Sequence, residues 1–220
     1  MKPLAIDLFA GLGGWTEGLL ATGYRVVGFD IERHQYGDAK YPAQLVLQNV
    51  VTIHGSQFRD AALIVASPPC HAYSYMSMPW SRAKALPPPS NELFEACFRI
   101  QREASAAGGR HVPMVVENVK GAQPWVGRSK ANYGSFHLWG DIESINGNII
   151  GVGRIGFDVP LLSRRINGGV KNGGDWFGPN TKKGSMRWLS SRSPARKAES
   201  AQIAKIPIEL AEYVGRFYHP

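Results

Sequence analysis

Apolar residues fall along this chain in short runs closed by turns, and those runs alternate with segments of helical period. Leu4-Ala-Ile-Asp-Leu-Phe9 is the first run, ending in the glycine turn AGLGG, and Trp15 to Ala21 follows as a helix. Tyr24-Arg-Val-Val-Gly-Phe29 is a second strand, closed by Asp30 and Glu32, and Gln44 to Val51 reads as a third. Ala61 to Ala66 and His111 to Val116 supply a fourth and a fifth. Before the fifth, Asn91 to Ala107 sets Leu93, Phe94, Cys97 and Ile100 on one face, the pattern of an amphipathic helix. Near the C-terminus Pro207 opens a helix whose apolar face carries Ile208, Leu210, Ala211, Val214 and Phe217.

Strands alternating with helices predict an α/β fold with a doubly wound, mostly parallel sheet. In such sheets ligands sit beyond the carboxyl ends of the strands. Three polar or reactive motifs fall there: AGLGG after the first strand, SPPC after the fourth and Glu117-Asn118 after the fifth. The stretch Met76 to Ser90, with Pro79 and Pro87-Pro88-Pro89, predicts a long loop directly after SPPC.

Composition narrows the class. Of 220 residues, 44% are hydrophobic and 19% charged, as in soluble globular proteins. No apolar run reaches the roughly 18 residues of a membrane span. MKPLAIDLFAGLGG is broken by an acid and glycines too early for a secretory signal. Two cysteines are too few for a disulfide framework, which predicts a reducing, cytoplasmic setting. The net charge is +8, and it is concentrated. Between Gly151 and Lys205 eleven Lys or Arg face only Asp158, Asp175 and Glu199, so the remaining residues are neutral in sum. Trp176, Phe177 and Trp188 lie in the same stretch. A basic, aromatic-studded, loop-rich segment suits a phosphate surface, although a solvated face with a basic bias gives the same pattern.

The motifs supply the chemistry. Gly11 and Gly13 fit the start of G-x-G-x-x-G, but Thr16 stands at the third position. With Asp30 and Glu32 some twenty residues on, the turn suits an adenosine-like cofactor held without a pyrophosphate; a tight turn with no ligand fits the glycines equally well. Pro68 and Pro69 stiffen the backbone and project Cys70 from a strand end, whereas Cys97, on the apolar face of a helix, reads as a small buried hydrophobe. Glu117, one strand over, is the neighbouring proton-active group. A thiolate beside a carboxyl suits addition to an electron-poor, conjugated ring, with the acid hydrogen-bonding a ring nitrogen.

Taken together, D-L-F-A-G-L-G-G (Asp7 to Gly14), F-D-I-E (Phe29 to Glu32), P-C-H-A-Y-S (Pro69 to Ser74) and E-N-V (Glu117 to Val119) resemble the motifs of the cytosine-C5 DNA methyltransferases, in order. Ile206-Pro-x-x-Leu-Ala resembles the family's last motif. The resemblance implies S-adenosylmethionine as cofactor and double-stranded DNA as substrate, with no metal and a monomeric enzyme. Cys70 would add to C6 of a flipped cytosine and Glu117 would engage N3 and the amino group, with Ser74 and Asn118 completing the catalytic set. Phe9 would lie against the adenine and Glu32 would hold the ribose, among cofactor residues Ala10, Gly11, Gly13, Gly14, Asp30, Ile31, Asn49 and Pro69. Residues 1–140 and 201–220 would form the catalytic domain, and 141–200 a reduced target-recognition region. Arg82, Arg128, Arg164, Arg165, Lys182, Lys183 and Arg187 are the expected nucleic-acid contacts. The compact size resembles phage- or prophage-type enzymes of restriction–modification systems, working in the cytoplasm of a bacterial or phage-infected cell.

This sequence departs from the family at three points. Tyr133 and Ser135 stand where the family's Q-x-R-x-R arginines are expected, leaving Arg128, Arg164 and Arg165 as the nearest substitutes. Asn49 replaces a common aspartate, though its amide oxygen can accept the same bond. The usual asparagine is missing before Pro207. Action on RNA or a free nucleotide, a modified sulfonium cofactor, and a DNA-binding protein without catalysis are the competing readings.

Overall fold

The computed structural model describes residues 1–73, 87–144 and 193–220. Ser74, Arg82, the core of the proline-rich loop and the segment holding Arg164, Arg165, Lys182, Lys183 and Arg187 lie outside them.

Seven strands form one sheet: β1 (Leu4–Leu8), β2 (Arg25–Asp30), β5 (Gln44–Leu47), β6 (Leu63–Ala66), β7 (Met114–Asn118), β8 (Ala131–Tyr133) and β9 (Phe136–Gly140). The two short strands β3 (Gln35–Tyr36) and β4 (Ala39–Lys40) pair with each other as a separate hairpin. The sheet order is β5-β2-β1-β6-β7-β9-β8, with β1 at the point where the winding reverses. Pairing is parallel from β5 to β7; β9 runs antiparallel to β7 and to β8. The expected doubly wound, mostly parallel sheet is present, with a Rossmann-like topology.

Strand alternation gives the sheet two apolar faces. One carries Ile6, Leu8, Ile64, Ala66, Met114 and Val116 and is covered by α2 (Glu92–Gly108) through Phe94, Cys97, Ile100 and Ala104. The other carries Ala5, Leu63, Val65 and Val115 and is covered by α1 (Gly14–Ala21) and by the C-terminal helix α5 (Ile208–Phe217). α1 and α5 meet closely because glycines face them. A Cβ on Gly18 would fall 2.5 Å from the Ala211 Cβ, and one on Gly14 would strike the backbone of Ile206.

Element ends move from the predicted positions for local reasons. The first strand stops at Leu8 because Phe9 turns to φ 59°, a rare value for a residue with a side chain. The third is cut at Leu47 because the Asn49 side chain accepts from Val51 N–H and starts a 3₁₀ turn. The fifth begins at Met114, since Val112 N–H is taken by Ser105 Oγ. Four features are absent from the sequence reading: the β3–β4 hairpin, the β8–β9 hairpin, the short helix α3 (Gln123–Val126) and the helix α4 (Pro194–Ala204). Among the described residues no helix is long and apolar enough to cross a membrane.

Candidate active site

The carboxyl ends of β1, β2, β5, β6 and β7 form one edge, which the glycine turn, Asp30 to Glu32, Asn49, Pro69-Cys70 and Glu117-Asn118 end or follow, whereas the last motif, Ile206 to Ala211, packs in the core against α1. At β1 the turn is held by Ala10 N–H donating to Phe29 O (3.1 Å), Gly13 N–H to Ala10 O (2.8 Å) and Gly11 N–H to Asp30 Oδ2 (2.9 Å). The glycines of the turn do different things. A Cβ on Gly11 would meet only Phe9 O at 3.9 Å, so its backbone faces open space; Gly13 is packed against Tyr41 and Pro42, and Gly14 against Ile206. Only Gly11 therefore leaves room for close approach by a ligand.

Beneath the turn lies a buried polar network. Thr16 Oγ1 donates to Asp7 Oδ2 (2.6 Å) and lies 2.6 Å from the Tyr41 hydroxyl. The Tyr41 ring occupies the space that a side chain at Gly28 would need. Burial pushes the Asp7 carboxyl up to about 7, with the Asp30 charge adding and the Thr16 bond opposing. Burial acts on Asp30 in the same sense, yet the His34 imidazole 3.7 Å away and the N–H groups of Gly11 and Glu32 hold it below its usual range. One acid is thus kept near neutrality and its neighbour ionised. Past Asp30, Ile31 and Glu32 are exposed, and Asn49 is exposed with its Oδ1 already engaged by Val51 N–H.

The nucleophile half is built on β6 and β7, which pair in parallel. Cys70 is half-exposed, between exposed Pro69 and buried Tyr73, while Glu117 and Asn118 at the end of β7 are buried. Asn118 Nδ2 donates to Pro68 O (2.9 Å) and its Oδ1 accepts from Val119 N–H (2.8 Å), joining the two motifs. Tyr73 N–H closes the turn on Cys70 O (2.9 Å), and Trp15 Nε1 reaches Ser67 Oγ (2.9 Å) from α1. Two site residues escape sequence reading. Asn91 holds the N-cap position of α2 but makes no capping bond; its Oδ1 accepts from the Tyr73 hydroxyl (3.0 Å) and its Nδ2 donates to Trp125 O (3.0 Å). Tyr41 reaches the glycine turn from the β3–β4 hairpin. The Asn ahead of a helix reads as an ordinary cap, and nothing in the sequence pairs Tyr41 with Thr16.

At the edge of the family motifs, Tyr133 packs toward the α1–α5 face, and Gly134-Ser135 makes the tight β8–β9 turn. Arg128 is exposed in the loop before that hairpin.

A doubly wound sheet with a glycine turn at its switch point, and a thiol and a carboxyl on adjacent strand ends, defines a Rossmann-type α/β scaffold with its ligand edge at the carboxyl ends of the strands. Residues 4–124 match the model of the C-5 cytosine-specific DNA methylases, and the chain belongs to that family. Among solved structures it is similar to a candidate DNA modification methyltransferase encoded within a prophage (E. coli), at 22% identity and TM-score 0.41, over 57% of this chain and 35% of that one. It is also similar to the Dnmt2 methyltransferase of S. pombe (16% identity, TM-score 0.38, 56% of this chain and 36% of that one). A third is the methyltransferase EhMeth of Entamoeba histolytica (16%, TM-score 0.38, 58% and 41%). The chain thus spans well under half of the length of these three proteins. No curated protein matches the sequence.

Proposed function

We propose that this chain is a DNA (cytosine-5)-methyltransferase, with residues 1–140 and 201–220 as catalytic domain and 141–200 as a reduced target-recognition region. The observation that carries the reading is the pairing of half-exposed Cys70 with buried Glu117 on adjacent strand ends, joined by the Asn118–Pro68 bond.

The edge fits S-adenosylmethionine. The open backbone at Gly11, the exposed Ile31 and Glu32 after β2, and Asn49 after β5 are the groups that would hold it, and Phe9, Ala10 and Pro69 border them in sequence. Gly13, Gly14 and Asp30 shape the turn from within. When bound, that cofactor supplies an electrophilic methyl group to C5.

The protein's own part is the ring activation. The target base leaves the DNA stack, at a cost of a few kcal/mol. The Cys70 thiolate forms a bond to C6, and the ring electrons shift toward C5 and N3. Glu117 engages N3 and the exocyclic amino group and so stabilises that charge. Once C5 is substituted its proton passes to a water molecule acting as base, the C–H electrons restore the C5=C6 bond, the C6–S bond breaks, and the thiolate is regenerated. Arg82, Arg128, Arg164, Arg165, Lys182, Lys183 and Arg187 are assigned to the nucleic acid, and Ser74 to the nucleophile loop.

The test is mass spectrometry of nucleosides from a methylase-free bacterial strain expressing this chain or its Cys70→Ala variant. A 5-methyl-deoxycytidine peak that vanishes in the variant is expected. A different cytosine adduct would overturn the cofactor assignment, and modification confined to RNA would overturn the substrate.

A further inference from the structure

His34 lies two residues beyond the Phe29–Glu32 motif and belongs to none of the motifs described above. Its Nε2 faces two carboxylates at once, 3.7 Å from Asp30 Oδ1 and 3.8 Å from Glu32 Oε1. The two acids differ in what else they do. Asp30 is buried and committed to the backbone: its Oδ2 accepts from Gly11 N–H (2.9 Å) and its Oδ1 from Glu32 N–H (3.3 Å). The Glu32 side chain is 71% exposed, and its carboxylate turns to the imidazole.

The imidazole is itself held in place. It is half-buried, with the Tyr36 ring of β3 beside it at a centroid distance of 6.4 Å. Among the described residues, Asp30 from the end of β2, Glu32 from the loop that follows and Tyr36 from the hairpin face the ring. Arg33, next to it in sequence, is exposed, and Asp7 of β1 interacts with Asp30 one step further in. The bond to Asp30 raises the His34 pKa above its ordinary 6.5, burial opposes, and the Asp30 and Glu32 charges add to the rise.

Two carboxylates two residues apart repel, and a cation facing both removes that cost. A long exposed side chain also loses rotamer freedom when it must hold a ligand, so a group that places it beforehand strengthens binding. We propose that His34 is a positioning residue of the cofactor site: as imidazolium it ties Glu32 to Asp30, and so to the Gly11 turn, presetting the acid that would take the ribose hydroxyls. The proposal rests on the S-adenosylmethionine reading above and adds to it a group with a proton to lose. Cofactor affinity is then highest where the imidazole is protonated, and it falls as pH rises through the His34 pKa.

The experiment has two readouts on the full chain. NMR titration of the assigned His34 imidazole, without cofactor, is expected to give a pKa above 6.5 that falls in Glu32→Gln. Calorimetric titration with S-adenosylmethionine, between about pH 6 and 9, follows affinity in wild type, His34→Gln, Glu32→Gln and the double variant. Wild type should lose affinity about two- to fivefold more than His34→Gln across that range. At the acid end the double variant should bind about as tightly as Glu32→Gln alone, because His34 acts through Glu32. If His34→Gln fails to fold, judged by its urea transition, the fall of the His34 pKa in the exposed Glu32→Gln variant carries the test. Equal pH dependence in wild type and folded His34→Gln overturns the role and leaves the methyltransferase reading standing. So does a His34 pKa that is not raised, or one that Glu32→Gln leaves unchanged. A wild-type chain that binds no S-adenosylmethionine at any pH overturns the cofactor reading, and this role with it.

Discussion

The carboxyl edge of the sheet has two halves, made rigid by opposite means. On the glycine half, carboxyl side chains turn inward and are used up by the protein: ionised Asp30 takes Gly11 N–H, and buried Asp7 takes Thr16, which in turn meets Tyr41. On the nucleophile half the bracing bonds described come from neutral amides and a phenol. Asn118 holds Pro68 O, and Asn91 holds Tyr73 and Trp125 O. A half that must present backbone to a ligand can spend carboxylates on holding itself. A half that must present a thiol and a carboxyl gains from braces that add no competing charge.

The largest expected effect removes the nucleophile. Cys70→Ala should cut methyl transfer by roughly a thousandfold or more. It should leave cofactor binding nearly unchanged, because the described bonds of the glycine turn run to Phe29 O, Ala10 O and Asp30. Calorimetric titration with S-adenosylmethionine checks this, and a folded variant that no longer binds it would merge the two halves.

The second effect belongs to the glycine half. Asp7 holds its proton up to about 7 in the folded chain, whereas an exposed aspartate titrates near 3.8. Between about pH 4 and 7 the folded state therefore binds more protons than the unfolded one, and stability falls as pH rises, by at most about 4 kcal/mol. Below that window both states are protonated, and above it both are ionised. Asp7→Asn keeps an acceptor for Thr16 and should remove this part of the slope. Urea unfolding at pH 5, 6 and 7.5 measures it; equal slopes in both proteins would mean that Asp7 is ionised throughout.

These two halves were not equally legible in the sequence. The parallel strands were readable because β1, β2, β6 and β7 are short apolar runs closed by a glycine turn, Asp30, a Pro-Pro step and Glu117-Asn118, and a buried strand has few other patterns. The motif residues were readable because strand ends are where such sheets keep their chemistry. The Asp7–Thr16–Tyr41 network was not, since its third member arrives from a two-stranded hairpin with no apolar run. The β8–β9 hairpin was hidden because Gly134-Ser135 leaves a three-residue strand, too short to show alternation. Asn91 misleads by occupying a position where its usual task is to cap a helix, and it bridges two loops instead.

A third, smaller effect probes that bridge. Tyr73→Phe keeps the ring in its buried place and deletes the hydroxyl that Asn91 accepts. One net hydrogen bond of about 1 kcal/mol corresponds to roughly fivefold, and turnover should fall by about that factor. Cofactor affinity should not move, and the rate at which iodoacetamide alkylates Cys70 should shift with turnover. An unchanged alkylation rate beside lowered turnover would make Tyr73 a general structural residue and not a positioning one.

The smallest effect on activity is expected at the second thiol. Cys97 is fully buried on α2 among Phe94, Ile100 and the sheet; its thiol meets Leu93 O at 3.3 Å, and burial pushes it up to about 12. A thiol so placed has almost no thiolate at neutral pH and no path to a reagent or a base. Cys97→Ala should thus leave turnover and the alkylation of Cys70 as they are. Its loss removes only packing, for about 1–2 kcal/mol of stability in urea unfolding. A folded but inactive Cys97→Ala would mean that the packing of α2 under β6 and β7 sets the chemistry of the edge, and the braces at Asn118 and Asn91 would then be followers of that core.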